Sequence, residues 1–381
     1  MKLLLIHTSD YLHHPVPSRQ HSILEELQKR HEVHVAHFHV SRGETRKTDL
    51  WIEEVTLLPL TSPLLHYTLN APYHYYMFDK ILRENRVDIV IVSNILASSA
   101  AIRAAKKYKI PVIFDLSDWL PDSAAAYVNN QTLKEIVKWT VWQITERNLR
   151  SSDKIVTVSP TLVDRLKALG FDSELITNGV DTEYFKPLDG KVWRKKFGID
   201  QNVFVIGFAG SLERWYDLTS MIKALPALLE YNPMVRLLVV GPTLFTGYER
   251  ELKDLATSLG VLDKVSFVGR KPYTELPQWI SCMDVCTIPL LPEQWGDIAL
   301  PNKFFEYSAC GKPILMRPMG NVEKIGGKNL FIYHNQEEYI GHIKNLMWGS
   351  PVFVPLDLES YSWAAKAKQF ENIFKGLGVG D

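Results

Sequence analysis

Short apolar runs alternate with longer stretches of helical spacing from one end of the chain to the other. In the first half, Leu3–Ile6, Val33–Phe38, Asp88–Val92, Val112–Phe114, Ile155–Val158 and Glu174–Ile176 read as strands. Most are unbroken and rich in Val and Ile, the pattern of strands buried on both faces of a parallel sheet. Between them Ser22–Arg30, Ala97–Tyr108 and Leu133–Arg150 carry helical spacing. The alternation then starts again, with strands at Val203–Phe208, Arg236–Val240, Val265–Val268, Val285–Ile288 and Ile314–Met316. A helix over Tyr248–Leu259 ends at Gly260, where the left-handed backbone that closes a helix costs glycine least. Two successive runs of β-α-β units predict an α/β chain of two doubly wound parallel-sheet domains. The polar, Pro- and Gly-punctuated stretch Phe185–Gly190 places the junction at 187/188, giving domains 1–187 and 188–359. Ligands of such sheets bind at the carboxyl ends of the strands. Two domains with facing crevices therefore predict a central cleft as the active site.

Composition narrows the class. With 381 residues, 46% of them hydrophobic, the chain can bury two cores and is not a disordered protein. Lys+Arg and Asp+Glu both number 43, and this zero net charge argues against a duplex nucleic-acid binder. Cys282, Cys286 and Cys310 lack the CxxC spacing of a zinc knuckle, and an odd set suggests no disulfide framework, so a reducing cytoplasm is expected. The opening run Leu3–Ile6 is shorter than the apolar core of a signal peptide and reads as a buried first strand. No apolar run reaches the length of a membrane-spanning helix.

The stretch richest in chemistry runs from Ala299 through Leu300, Pro301, Asn302, Lys303 and Glu306 to Cys310, Gly311 and Pro313. Pro301 and Asn302 would open a helix that Gly311 and Pro313 close. Backbone N–H groups at a helix start attract anions, and Lys303 would add a full positive charge. Glu306 lies three residues after Lys303 and four after Asn302, so the three share a face. A carboxylate offers acceptors only, which suits a vicinal diol such as ribose. Donors for phosphates and acceptors for a sugar, one turn apart, suggest a nucleotide-sugar site. A Lys–Glu pair on a solvated helix face would show the same spacing.

This stretch resembles the donor signature of the GT-B retaining glycosyltransferases, in particular glycosyltransferase family 4. Ser159-Pro160 followed by Asn178–Asp181, Phe185 and Pro187 resembles the end of the family's first domain. Gly207–Leu212 with Arg214 and Asp217-Leu218 resembles the opening strand and loop of its donor domain. Val265–Arg270, Leu276-Pro277, Asp284 and Pro289 resemble the nucleoside-binding region, and Pro15–Arg19 the first loop. The resemblance spans nearly the whole chain. It implies two Rossmann-like domains, with the acceptor on the first and the donor on the second, and a C-terminal helix within 360–381 that packs back on the first.

The resemblance also implies roles. Arg214 and Lys303 would neutralise the donor diphosphate, which Leu300, Pro301 and Asn302 meet at the helix start. Gly210 and Ser211 lie in the loop facing it. Glu306 would hold the ribose, and Val268, Gly269 and Arg270 would border the base. Apart from the resemblance, Ser18 and Arg19 at a helix start are placed to hold an anionic group of the acceptor. Three departures stand out. Ile298, beside Asp297, occupies the place of a second family glutamate. Ser211 stands where many members have another basic residue, in a loop shorter than usual. Within Asp115–Pro121, Ser117 replaces a histidine near the reacting sugar carbon, leaving Asp118 as the catalytic candidate.

The implied activity is transfer from a nucleotide-diphosphate sugar to a glycan or lipid-linked acceptor, with retention of configuration. It needs no cofactor and no obligatory metal, and nucleic acid is not a partner. Core packing accounts for most of the Tyr67–Phe78 aromatics and of the helix Leu133–Arg150, with Trp139 and Trp142, and the alternative reading is peripheral contact with the cytoplasmic face of a membrane. A non-hydrolysing nucleotide-sugar epimerase and an inactive sugar-nucleotide-binding subunit share the same plan. Ten of the 12 histidines fall at or before His74. Of His34, His37 and His39 only the last two share a strand face, too few ligands for a metal, so these read as solvated or core side chains.

Overall fold

The Val- and Ile-rich runs form strands, and in the computed structural model every pairing between named strands is parallel among the described residues. The structure describes all residues except 8–9, 14–16, 41–44, 126–127, 129, 245–246, 292–297, 299, 320–321, 323–324, 326, 328, 350–355 and 380–381. His14, Pro15, Asp297 and Ala299 thus lie outside the described residues. The chain divides into two units, Met1–Thr177 with Trp363–Asp381, and Asn178–Ser362.

The first unit holds β1 (Lys2–Ile6), α1 (Arg19–Leu27), β2 (Glu32–His37), β3 (Trp51–Glu54), α2 (Pro63–Asn85), β4 (Ile89–Val92) and α3 (Leu96–Lys107). These are followed by β5 (Val112–Leu116), α4 (Leu120–Ala125), α5 (Gln131–Ser151), β6 (Lys154–Thr157), α6 (Pro160–Ala168) and β7 (Glu174–Leu175). The sheet order is β3-β2-β1-β4-β5-β6-β7, reversing direction at β1, the switch point where doubly wound folds bind ligands. Leu3 to Ile6 are buried because helices cover both faces of the central strands. Two elements escape the hydrophobic pattern. The strand β3 is an exposed edge of sequence WIEE, paired among the described residues only to β2. The stripe that α2 buries begins His66, Asn70, His74, a polar series invisible to a search for apolar periodicity.

The second unit holds α7 (Gly190–Phe197), β8 (Phe204–Ala209), α8 (Leu218–Tyr231), β9 (Val235–Val240), α9 (Tyr248–Ser258) and β10 (Val265–Phe267). After them come α10 (Leu276–Ser281), β11 (Val285–Ile288), α11 (Asn302–Ala309), β12 (Ile314–Met316), β13 (Leu330–Ile332) and α12 (Gln336–Trp348). Its sheet, ordered β10-β9-β8-β11-β12-β13, repeats the same winding with the switch point at β8. The expected α/β class, two doubly wound parallel sheets, is the observed one.

The division at Thr177/Asn178 falls ahead of the expected junction at 187/188. The Pro and Gly punctuation marks the start of α7, whereas the preceding segment already belongs to the second core. Asn178 donates its side-chain amide to the Leu300 carbonyl (2.7 Å), Val180 bridges Ser362, and Phe185 is buried. The C-terminal helix, Trp363–Gly376, buries Trp363, Ala367, Phe370, Ile373 and Phe374 in the first unit's core. Its Glu371 accepts from Arg30 Nε (2.6 Å) and His31 Nε2 (2.9 Å) at the end of α1.

Candidate functional site

In the second unit the carboxyl ends of three neighbouring strands are stitched together by glycine backbone. Gly210 N–H donates to the Val240 carbonyl (2.8 Å), and Gly241 N–H donates to the Gly269 carbonyl (2.9 Å). A Cβ on Gly241 would collide with the Gly210 carbonyl, and one on Gly210 would stand 2.6 Å from Lys303 Nζ. Gly269 has φ +67°, a conformation that glycine alone adopts without strain. The result is a shelf of bare backbone at the switch point, with the Lys303 ammonium against it.

Helix α11 supplies the other wall. Pro301 occupies its N-cap in extended conformation and Tyr307 pins it to the sheet, its hydroxyl accepting Ala209 N–H at 2.9 Å. Lys303 Nζ donates to the Tyr216 hydroxyl (2.8 Å) and lies 4.6 Å from that ring's centroid. One turn on, Glu306 is 8% exposed and its Oε1 accepts the Tyr273 hydroxyl at 2.9 Å. Burial pushes the Glu306 carboxyl above the usual carboxylate range, against the opposing pull of the Tyr273 hydroxyl and the Lys303 charge. Asn302 Oδ1 is buried without a hydrogen-bond partner among the described residues. A lysine charge at a helix start thus meets the Gly210 backbone, with a buried carboxyl one turn further along the same helix, an arrangement fitted to a diphosphate followed by a diol.

Not every predicted donor residue joins this group. Leu300 is buried and its carbonyl is taken by Asn178. Arg214 is exposed, ion-paired to Glu251 on α9 and 5.5 Å from the Tyr248 ring centroid. Ser211 is half-buried, Val268 N–H completes the β9–β10 ladder (3.0 Å), and Arg270 is exposed. Ile298 is half-buried and makes no substitute for a carboxylate. Sequence reasoning missed Tyr216 and Tyr273, which hold the two charged groups in place, and Arg317. The last follows β12 and pairs with Asp217 (2.7 Å), itself the N-cap of α8. A guanidinium directly after a sheet strand was the available signal.

The first unit's candidates are more deeply committed to structure. Asp118 accepts Trp119 N–H (2.8 Å) and the Ser123 hydroxyl (2.7 Å), so both oxygens brace the start of α4. Burial raises its carboxyl above the ordinary value, partly offset by those two donors. Beside it Trp119 stacks on Trp142, with the Arg165 guanidinium 3.7 Å from its ring centroid. Arg19 is buried, its Nη1 donating to the Thr177 carbonyl (2.7 Å) and its Nε facing Asp115 (3.4 Å). His21 Nε2 donates to the Tyr11 carbonyl (2.9 Å), so its Nδ1 is an acceptor and takes the Ser18 N–H (3.0 Å) and hydroxyl (2.7 Å). His7 Nε2 stands 3.1 Å from Ser18 Oγ. Ser18 therefore locks the start of α1 through an imidazole in the place of the usual capping-box glutamate. His34, paired to Glu53 (2.7 Å) and Glu32 (2.9 Å), is satisfied.

Residues 19–184 match the family model described as Glycosyltransferase Family 4, and residues 203–347 match Glycosyl transferases group 1. Among curated proteins, the D-inositol 3-phosphate glycosyltransferase of Stackebrandtia nassauensis is 29% identical over 220 residues, 54% of this chain and 48% of that one. The protein of the same name from Corynebacterium aurimucosum is 27% identical over 237 residues, 59% of this chain and 52% of that one. The chain spans about half the length of the curated relatives it matches. Among solved structures, sucrose-phosphate synthase from Thermosynechococcus elongatus superposes with a TM-score of 0.81 at 14% identity, covering 100% of both chains. Anabaena HepE in complex with UDP gives 0.74 at 17% identity, covering 99% of this chain and 100% of that one. These structural likenesses carry the fold.

Proposed function

The chain belongs to the GT-B glycosyltransferases of family 4, and from that membership we propose that it transfers a sugar from a nucleotide-diphosphate sugar to an acceptor, with retention of anomeric configuration, in glycan or glycolipid biosynthesis. The observation that carries the reading is Lys303 held against Gly210 at the start of α11, with the buried Glu306 one turn on along the same helix. The diphosphate lies on the shelf, where backbone can approach it closely. Lys303 and the N–H groups at the helix start take the charge that grows on the leaving phosphate, so no obligatory metal is required. Glu306 receives the ribose hydroxyls, and the main chain of Val268–Arg270 borders the base. UDP-sugars are the first donors to test, because HepE was crystallised with UDP and with UDP-glucose.

The bond from the anomeric carbon to the diphosphate oxygen breaks, and the acceptor oxygen bonds to the same face of that carbon. The acceptor's proton passes to the departing phosphate oxygen, so no protein nucleophile is needed. We assign the acceptor to the first unit, with contact at the start of α1 through Ser18. Arg19 contributes there only by leaving Asp115 and Thr177. The names of the relatives, inositol 3-phosphate glycosyltransferases, favour a phosphate-bearing acceptor. No helix among the described residues is long and apolar enough to cross a membrane. Exposed Leu64, Leu65 and Leu69 on α2, and Leu133, Ile136 and Trp139 on α5, support peripheral contact with the cytoplasmic membrane face instead.

One observation favours a second reading, a binding subunit without turnover: Asp118 is engaged as a helix brace and Ser117 stands beside it. Incubation with a panel of nucleotide-diphosphate sugars separates the readings. A transferase releases some free sugar and nucleotide diphosphate even without acceptor, whereas a binding subunit shows a thermal shift and no release. Absence of both shift and release for every donor would remove the donor-site reading.

A further inference from the structure

Tertiary pairing supplies the histidines of β2 with ligands that strand alternation could not. Parallel pairing of β1 with β2 brings Asp10 and His13, which follow β1, to His37. Pairing of β2 with β3 sets Glu54 opposite the same residue. His13 Nδ1 lies 3.1 Å from each carboxylate oxygen of Asp10, and His37 Nδ1 lies 3.5 Å from Asp10 Oδ1. Ligands held at zinc distances on a tetrahedron stand about 3.3 Å apart. The separations of 3.1 and 3.5 Å bracket that edge.

His37 is 4% exposed, and its buried Nδ1 makes no hydrogen bond among the described residues. An Asp10–His13 pair alone leaves that nitrogen unexplained. The far ring nitrogens face oxygen as well: His13 Nε2 is 3.1 Å from Thr45 Oγ1, and His37 Nε2 is 3.8 Å from Glu54 Oε2. An oxygen on the second nitrogen is what orients a metal-bound imidazole. Asp10 is held in turn by Val40 N–H and His13 N–H, both at 3.1 Å.

We propose that Asp10, His13 and His37 bind one divalent transition-metal ion of the zinc class, with a fourth position open. Two imidazoles and one carboxylate favour zinc over the hard, all-oxygen ions magnesium and calcium. The overlapping set His37, His39 and Glu54 shares His37 and is more exposed, so it is the lesser site. The ion ties the segment after β1 to the end of β2. Its ligands all belong to the first unit and the donor-site residues to the second, and chelation is expected to leave nucleotide affinity unchanged.

The test uses untagged full chain stripped with chelator and titrated with Zn²⁺ in competition with a chromophoric chelator. The expected result is about one zinc per chain. His13→Gln and His37→Gln each weaken binding by more than about a hundredfold, beyond the loss typical of an outer-shell partner. Thr45→Ala costs about tenfold, and His39→Ala leaves affinity within a few-fold. Co²⁺ added to the unmutated protein gives the intense visible bands of four- or five-coordination, which needs no variant to fold. A pale six-coordinate cobalt spectrum overturns the proposal. So does zinc bound no more tightly by the parent than by His13→Gln, or displacement of zinc by a hundredfold excess of Mg²⁺.

Discussion

Replacing Glu306 by glutamine removes the charge but keeps the shape and one acceptor of a side chain that is 8% exposed and receives the Tyr273 hydroxyl at 2.9 Å. The amide oxygen keeps Tyr273 satisfied, and the free protein loses little because burial already disfavours the charged form. The complex loses more. A hydrogen bond to a charged group contributes about 1.5–3 kcal/mol, which is about 10- to 150-fold in dissociation constant. Glu306→Ala should reach the upper part of that range, and Glu306→Gln the lower. Calorimetric titration with UDP and with 2′-deoxy-UDP isolates the contact, because the deoxy ligand lacks one of the hydroxyls concerned. The parent should discriminate between the two ligands, and Glu306→Ala should nearly cease to. Equal discrimination by both proteins would show that the carboxylate does not meet the ribose. The pH dependence has a fixed sign. A carboxyl raised by folding makes a contribution to stability that fades as pH rises from the ordinary 4.5 through its folded value, and the glutamine variant lacks this slope. Nucleotide affinity moves the other way, falling as acid protonates the group.

Further outcomes follow from the same geometry. Lys303→Ala should weaken a nucleoside diphosphate by at least about tenfold, in the range for a charge-assisted contact, and barely change the nucleoside. Gly210→Ala, whose Cβ would stand 2.6 Å from Lys303 Nζ, should mimic it; equal losses for nucleoside and diphosphate would take both residues off phosphate duty. Burial, aided by His66, pushes His74 down to about 4 from 6.5, so its contribution to stability is complete above pH 6.5 and is lost progressively between 6.5 and 4. That loss is at most about 3 kcal/mol, and urea midpoints at pH 7.5 and 5 should differ less in His74→Phe than in the parent. Asp118→Asn should lower turnover while donor affinity stays within a few-fold, and an unchanged turnover number would confine Asp118 to bracing α4.

The strand runs were legible because a strand buried on both faces must be apolar at every position, and no surface residue dilutes that signal. Lys303 and Glu306 were legible for a similar reason, since one helix carries both at a spacing that fixes their shared face. What lay beyond the sequence was whatever depends on a partner from elsewhere in the chain. Nothing local to Tyr273 or Tyr216 announces that one will hold Glu306 and the other Lys303. Arg214 and Arg19 show the converse. Each stands at the position that its motif predicts, but Glu251 claims the first, and Asp115 with the Thr177 carbonyl claims the second. Likewise β3 and the His66–Asn70–His74 stripe of α2 carry no apolar period, because one is an exposed edge and the other buries polar groups. His13 and His37, 24 positions apart in the chain, meet Asp10 only after β1 and β2 pair. Periodicity reports which face of an element is buried. The identity of the group it is buried against is set by the winding of the sheet, and only tertiary structure decides it.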